Sequence, residues 1–279
     1  MIWRKNMFGI QLENVRKTIP LVHNITNYVT VNDCANILIA CGASPIMSDE
    51  IEDVKEITAI CTALNINIGT LNQRTTPAMF EAGKISNHYG HPIVLDPVGA
   101  GASSYRTHIT KKLIEEINFS VIRGNISEIK AIAVGSDTTK GVDANKGDTV
   151  TSDNMDSVVA FAKEFSQKVG AVIAITGAID IVADSQKAYI IMNGHPMMSK
   201  ISGTGCMLSA ITAAYIGANQ DNIIEACAAA VCAMGLCGER AFAKLKKDEG
   251  NLTYKNRIFD EIFHLTPDIL EAGARYEVC

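Results

Sequence analysis

The sequence predicts an α/β protein whose mostly parallel sheet is covered on both faces. Three observations predict it. Short β-branched apolar runs alternate with longer segments of helical pattern. The apolar runs are continuous, not alternating with polar residues. Each run ends on polar residues, most of them beside a glycine. Continuous apolar strands belong to sheets buried on both sides, and strand–helix alternation builds βαβ units. The chain has 279 residues, and no repeat, low-complexity tract or Pro/Gly-rich linker divides it. One domain over residues 1–279 is therefore expected.

Taken in order, His23-Asn24-Ile25-Thr26-Asn27 and Pro45-Ile46-Met47-Ser48 read as mixed polar and apolar loops around a first helix, Val31 to Ala40. Thr30-Val31-Asn32-Asp33 resembles a capping box before that helix. Further helical patterns cover Thr76 to Tyr89, Thr107 to Glu116 and Asn154 to Val169. Strands are expected at Ile93-Val94-Leu95, ending on Asp96-Pro97, at Val121-Ile122, ending on Arg123-Gly124-Asn125, and at Ala171 to Ile175, ending on Thr176-Gly177. Ile179 to Met192 reads as a hairpin turning near Ser185-Gln186. Beyond Gly203 the chain reads as almost entirely helical, with Ala226 to Cys237 as a buried helix.

Composition narrows the function classes. Hydrophobic residues make up 47% and charged residues 20%, with a formal net charge of -5. The densest basic patch is Lys244-Leu245-Lys246-Lys247, so a nucleic-acid role is disfavoured. The N-terminus lacks the apolar segment of a signal peptide, and no apolar run approaches the ~18 residues of a membrane span. The eight cysteines form no C-x-x-C pair, and several sit in apolar helical pattern. They read as small buried hydrophobes in a reducing compartment, which places the protein in the cytoplasm.

The chemistry-bearing residues gather at strand ends, where ligands bind in open α/β sheets. Gly203-Thr204-Gly205-Cys206 opens an apolar, Ala-rich helix. Its unpaired N–H groups and positive dipole end suit an anion, phosphate above all, and the glycines admit it closely. Residues Gly203 to Cys206 would then be an anion hole, with Cys206 in the first turn as a general base whose thiol the dipole lowers toward thiolate. A tight turn followed by an ordinary buried cysteine accounts for the same residues. A covalent thiol mechanism would want a histidine, and His195 is near in sequence.

Asp96-Pro97-Val98-Gly99-Ala100-Gly101 sets a carboxylate beside a glycine turn, and Asn125-Ile126-Ser127-Glu128 sets another at a helix start. The two carboxylates, Asp96 and Glu128, could share Mg²⁺; a structural turn and a helix cap are the competing explanations. Arg123 at a strand end suits phosphate, or is an exposed surface arginine. Met47 either fills a core gap or walls a small apolar pocket for a heteroaromatic ring. There is no G-x-x-x-x-G-K-[ST] and no complete G-x-G-x-x-G. Any ATP site must therefore use another architecture.

Five pieces together carry a resemblance: residues 23–29 (HNITNYV), 43–47 (ASPIM), 95–100 (LDPVGA), 123–129 (RGNISEI) and 203–206 (GTGC). From about Pro20 to Tyr276 the sequence resembles the hydroxyethylthiazole kinase family of the ribokinase-like superfamily. The resemblance implies a three-layer α/β/α fold and ATP-dependent phosphorylation of 4-methyl-5-(2-hydroxyethyl)thiazole, a step of thiamine salvage. It also implies a homotrimer with active sites at subunit interfaces. By motif, Met47 and Gly203 would contact the thiazole, Arg123 and Thr176 the ATP, and Asp96 and Glu128 the Mg²⁺. Cys206 takes the base position, where related kinases commonly carry Asp.

Three rivals stand beside this reading. A hydroxymethylpyrimidine kinase of the same superfamily is set against it by the stretch His23 to Met47. An ATP- or ADP-dependent lyase acting on a hydrated nicotinamide cofactor carries G-T-G-D where this chain has Cys206. A nucleotide-binding protein without turnover would not need the polar strand ends.

Overall fold

The computed structural model describes residues 7–133 and 150–279. One sheet holds nine strands: β1 Leu21–Ile25, β2 Ser44–Met47, β3 Ala63–Asn67, β4 Ile93–Asp96, β5 Val121–Gly124, β6 Val172–Ile175, β7 Asp180–Ala183, β8 Ala188–Ile191 and β9 Tyr276–Val278. Their spatial order is β2-β1-β3-β4-β5-β6-β7-β8-β9. The first six run parallel, and β7, β8 and β9 pair antiparallel. The mostly parallel sheet and the hairpin match the sequence prediction.

The helices are α1 Met7–Thr18, α2 Val31–Cys41, α3 Ile51–Ile60, α4 Thr75–Tyr89, α5 Ser104–Glu116, α6 Ile126–Ala133, α7 Met155–Val169, α8 Thr204–Ala218, α9 Ile223–Ala243, α10 Asn251–His264 and α11 Pro267–Gly273. They form two layers. Val94, Val121, Ala174, Val182 and Tyr189 share one core with residues of α1, α2, α8, α9 and α10. Their strand neighbours Leu95, Ile122, Ile173, Ile181 and Ile190 share the other with α3 to α7. Successive strand residues point to opposite faces, so a strand apolar at every position needs a helix layer on each side. That is why the strands read as unbroken apolar runs.

Because α2 lies on one face and α3, α4 and α5 on the other, winding reverses between β1 and β3. In open α/β sheets ligands bind outside the carboxyl ends of the strands at such a reversal. Helix α8 packs across β1, β3 and β4 and carries its N-terminus to that point.

Three expectations are corrected. The segments read as loops at His23–Asn27 and Pro45–Ser48 are mostly β1 and β2. Their polar side chains are paired inside the protein: one His23 ring nitrogen meets Ser48 O at 2.9 Å and the other Thr58 Oγ1 at 3.0 Å, while Asn65 donates to Asn24. Polar residues satisfied in this way break the apolar pattern without breaking the strand. Thr30 is no capping box, because its hydroxyl donates to Asn27 Oδ1 instead of capping α2. Finally, α9 is 21 residues, longer than the expected Ala226 to Cys237 and by length and composition enough to cross a membrane, but 78% of its most apolar window is buried against this fold.

Candidate active site

At Gly203 the chain turns into α8 with φ 90°, a left-handed conformation that favours glycine. A Cβ there would lie 2.6 Å from Thr30 Cγ2, so the space forbids a side chain as well. The first intrahelical bond runs from Met207 N to Gly203 O, 2.9 Å. The N–H groups of Thr204, Gly205 and Cys206 ahead of it lack intrahelical partners. Thr204 and Gly205 border a cleft of about 460 Å³. Its polar lining includes Arg123, Asn125, Thr176 and Asp180, and its apolar lining Met198, Leu208, Val231 and Met234.

Arg123 ends β5 beside β6, and its guanidinium donates to Thr176 Oγ1 at 2.6 Å. The same group lies 3.6 Å from Asp96 Oδ1 and directly over Gly205. It thus stands between the cleft and the buried carboxylate. Sequence reasoning found both Arg123 and Thr176 but missed their contact, which depends on parallel pairing of β5 with β6.

Asp96 closes β4 with no exposed surface. Its Oδ2 accepts from Asn67 Nδ2 and Ser209 Oγ, each at 2.8 Å, while Oδ1 has no hydrogen-bond donor. Burial pushes the carboxyl up to about 6; Arg123 opposes that and Glu128 adds to it. Cys206 lies on the far side of Asn67: its Sγ receives Asn27 Nδ2 at 3.2 Å and Asn67 Nδ2 at 3.3 Å.

The thiol differs from expectation. Burial pushes it above its ordinary value, and the Asp96 charge does the same; hydrogen bonds from Thr30, Asn27 and Asn67 pull the other way without prevailing. Burial and the neighbouring carboxylate thus favour the thiol over the thiolate. His195 is not its partner. The ring accepts from Met197 N and stacks on Phe242 with centroids 3.6 Å apart.

Glu128 forms a capping box with Asn125, each side chain accepting from the other's backbone N–H at 2.8–2.9 Å, and its Oε1 also accepts from Gly99 N at 2.8 Å. The helix-cap explanation is thus realised in the geometry, and it brings the carboxylate to the β4–α5 turn. Among the described residues no three His, Cys, Asp or Glu side chains converge as a closed metal cage. The donor set nonetheless fits Mg²⁺, which is held through one or two carboxylates plus substrate phosphates. The fit rests on Asp96 Oδ1, a buried oxygen with no hydrogen-bond donor, in the field of a second carboxylate.

Met47 ends β2, half-buried against the core and paired across the ladder with Asn24. Met47, Gly203, Asp96, Glu128 and Cys206 do not line the 460 Å³ cleft; Arg123, Thr176, Thr204 and Gly205 do.

Comparison with known proteins decides the family. The chain matches the model of the hydroxyethylthiazole kinase family over residues 12–268. It is 63% identical over 271 residues to a hydroxyethylthiazole kinase of Clostridium acetobutylicum, covering 97% of this chain and 99% of that one. The chain belongs to the hydroxyethylthiazole kinase family. A second member, from Clostridium beijerinckii, is 49% identical over 263 residues. The solved structure of a hydroxyethylthiazole kinase protein from Pyrococcus horikoshii OT3 superposes with TM-score 0.86 at 30% identity, over 98% of both chains. The ribokinase-like three-layer fold follows, and the protein is a phosphotransferase of the kinase type.

Several residues of this candidate site were given no role by sequence reasoning. Asn27, Asn67 and Ser209 carry the polar core of the site, yet each looks ordinary in its own segment. Asp180 lines the cleft, with Oδ1 accepting from Gly177 N at 2.8 Å; burial raises it to about 7, against that N–H and Arg123. It was visible as a charge between Ile179 and Ile181.

Proposed function

We propose that the protein transfers the γ-phosphoryl group of ATP to the hydroxyl of 4-methyl-5-(2-hydroxyethyl)thiazole, as a step of thiamine salvage. The observation that carries this reading is the position of the α8 N-terminus, which joins the Arg123–Thr176 cleft to the Asp96–Asn67–Cys206 cluster. A nucleotide in the cleft would lay its terminal phosphate on the free N–H groups, next to the sulfur.

In this reading Arg123 and the N–H groups of Gly203 to Cys206 hold and neutralise the phosphoryl oxygens. Cys206 meets the acceptor hydroxyl. Phosphoryl transfer asks mainly for positioning and charge stabilisation, with little covalent work from the protein. A protonated sulfur therefore serves by orienting the hydroxyl, whose proton passes to an oxygen of the transferred phosphoryl group as the new O–P bond forms and the bond to ADP breaks. Asp96 and Glu128 would hold Mg²⁺, which supplies charge neutralisation on the phosphates.

An ADP-release assay with the thiazole alcohol, hydroxymethylpyrimidine and no acceptor tests the reaction. Release with the thiazole alcohol alone is expected. Equal release with hydroxymethylpyrimidine, or none with either, would sink the assignment.

Separate sites for ATP at Arg123 and for the thiazole ring at Met47 would imply opposite mutational patterns. Arg123→Ala should weaken ATP binding far more than that of the thiazole alcohol, which carries no anionic group. Met47→Ala should do the reverse, because a neutral ring needs an apolar wall. Binding constants for both ligands in both variants are the measurement; matching losses for the two ligands would mean a packing defect.

Asp96→Asn and Glu128→Gln should each raise the Mg²⁺ concentration giving half-maximal rate. Unchanged titrations in both would remove these carboxylates from the metal.

A cytoplasmic homotrimer completes the reading. Among the described residues, strand β2, which carries Met47, is an edge of the sheet, and Tyr28 and Val29 in the β1–α2 connection and Ile39 on α2 are 77%, 61% and 58% exposed. Apolar exposure of that kind is commonly covered by a partner. Sedimentation at three times the 30.0 kDa chain mass is expected, and a monomer would refute the trimer.

A further inference from the structure

Asn67 closes β3 and is 1% exposed. Every hydrogen-bonding position of its amide is used. Oδ1 receives Gly69 N at 2.9 Å and Asn27 Nδ2 at 3.0 Å. Nδ2 donates to Asp96 Oδ2 at 2.8 Å and to Cys206 Sγ at 3.3 Å. A backbone N–H can only donate, so Gly69 fixes which end of the amide is oxygen. The two amide hydrogens are then committed to the carboxylate and the sulfur.

Asn27 is saturated in the same way. It accepts from Thr30 N and Thr30 Oγ1, at 3.2 and 3.1 Å, and gives its hydrogens to Asn67 and to the same sulfur. Two amides, one following β1 and one ending β3, thus converge on one atom at the point where the sheet reverses. The parallel register sets Asn67 directly beside Asp96. Ser209, one turn along α8 from Cys206, donates to that carboxylate too. Packing alone would not require the two hydrogens of one buried amide nitrogen to meet a carboxylate and a thiol separately. Neither amide can turn without orphaning a buried donor.

We propose that Asn67 is a positioning residue for phosphoryl transfer, its amide fixing the Cys206 sulfur at a set place relative to Asp96 so that the sulfur faces the acceptor hydroxyl instead of the carboxylate. This rests on the role of Cys206 proposed above. Asn67 acts through the sulfur and touches neither substrate.

The test is a double-mutant cycle: kcat and KM for ATP and the thiazole alcohol in the wild type, Asn67→Ser, Cys206→Ala and the double variant, with thermal midpoints for all. Asn67→Ser is expected to lower kcat about tenfold to a hundredfold, the cost of losing a hydrogen bond near developing charge. Both KM values should stay within about threefold, because only the step beyond binding is affected. In the Cys206→Ala background the same substitution should cost less than about threefold, since coupled residues are not additive. Equal losses in the two backgrounds, or a rise in KM with kcat intact, would overturn the proposal while leaving Cys206 in place. Full activity of Cys206→Ala would overturn both. Should Asn67→Ser fail to fold, Asn67→Asp takes its place in the cycle: it keeps the size and the acceptor but offers at most one hydrogen where two are needed.

Discussion

Gly205→Ala is expected to lose about a hundredfold or more in kcat/KM for ATP while its melting temperature falls only modestly. The position is helical, and alanine is favoured over glycine in a helix by about 1 kcal/mol. The added methyl, however, would lie 2.6 and 2.8 Å from the two terminal nitrogens of Arg123. Those nitrogens cannot yield cheaply, because one is bound to Thr176 and the other faces Asp96. The guanidinium must leave its place over the helix start, and the phosphoryl group loses a charged donor. Removing one preorganised donor to a developing anion costs about 10²–10³-fold. A loss in kcat/KM far larger than the change in melting temperature accounts for separates this from a folding defect. An active Gly205→Ala enzyme would take Arg123 out of phosphate recognition.

Cys206→Ala should lower kcat about a hundredfold with nearly unchanged substrate binding, and Cys206→Asp should keep or raise kcat. A group that orients the hydroxyl without taking its proton is expected to fall near or below the about 10²–10⁴-fold that general acid–base groups contribute. The low end applies because burial holds this thiol above its ordinary value. A carboxylate at the same place would enter the same pair of amide donors, Asn27 and Asn67, at the same favourable helix end. Steady-state kinetics of the two variants decide it. Full activity in Cys206→Ala would remove Cys206 from the chemistry.

Much of the fold was legible because β4, β5 and β6 are unbroken apolar runs ending on Asp96, Arg123 and Thr176. Strands β1 and β3 were hidden by His23, Asn24, Asn65 and Asn67, whose polarity is cancelled by partners far away in sequence. The candidate site was legible in its charged and glycine residues and illegible in its amides. Asn67 acquires meaning only through the β3–β4 register, and Ser209 only once α8 docks over Asp96. The thiol was misjudged for a related reason. The helix end is readable locally, whereas the burial that raises the thiol comes from the whole assembled fold.

The protonated state of Cys206 has a chemical consequence of its own. Thiolates, not thiols, attack peroxides and alkylating agents. Enzymes that keep a thiolate at the reacting centre pay with vulnerability to such electrophiles. In the proposed arrangement the sulfur lies next to the transferred group, and burial favours its less reactive thiol form. A kinase built this way is expected to lose activity to peroxide more slowly than enzymes that rely on a thiolate, with activity after graded peroxide exposure as the measurement.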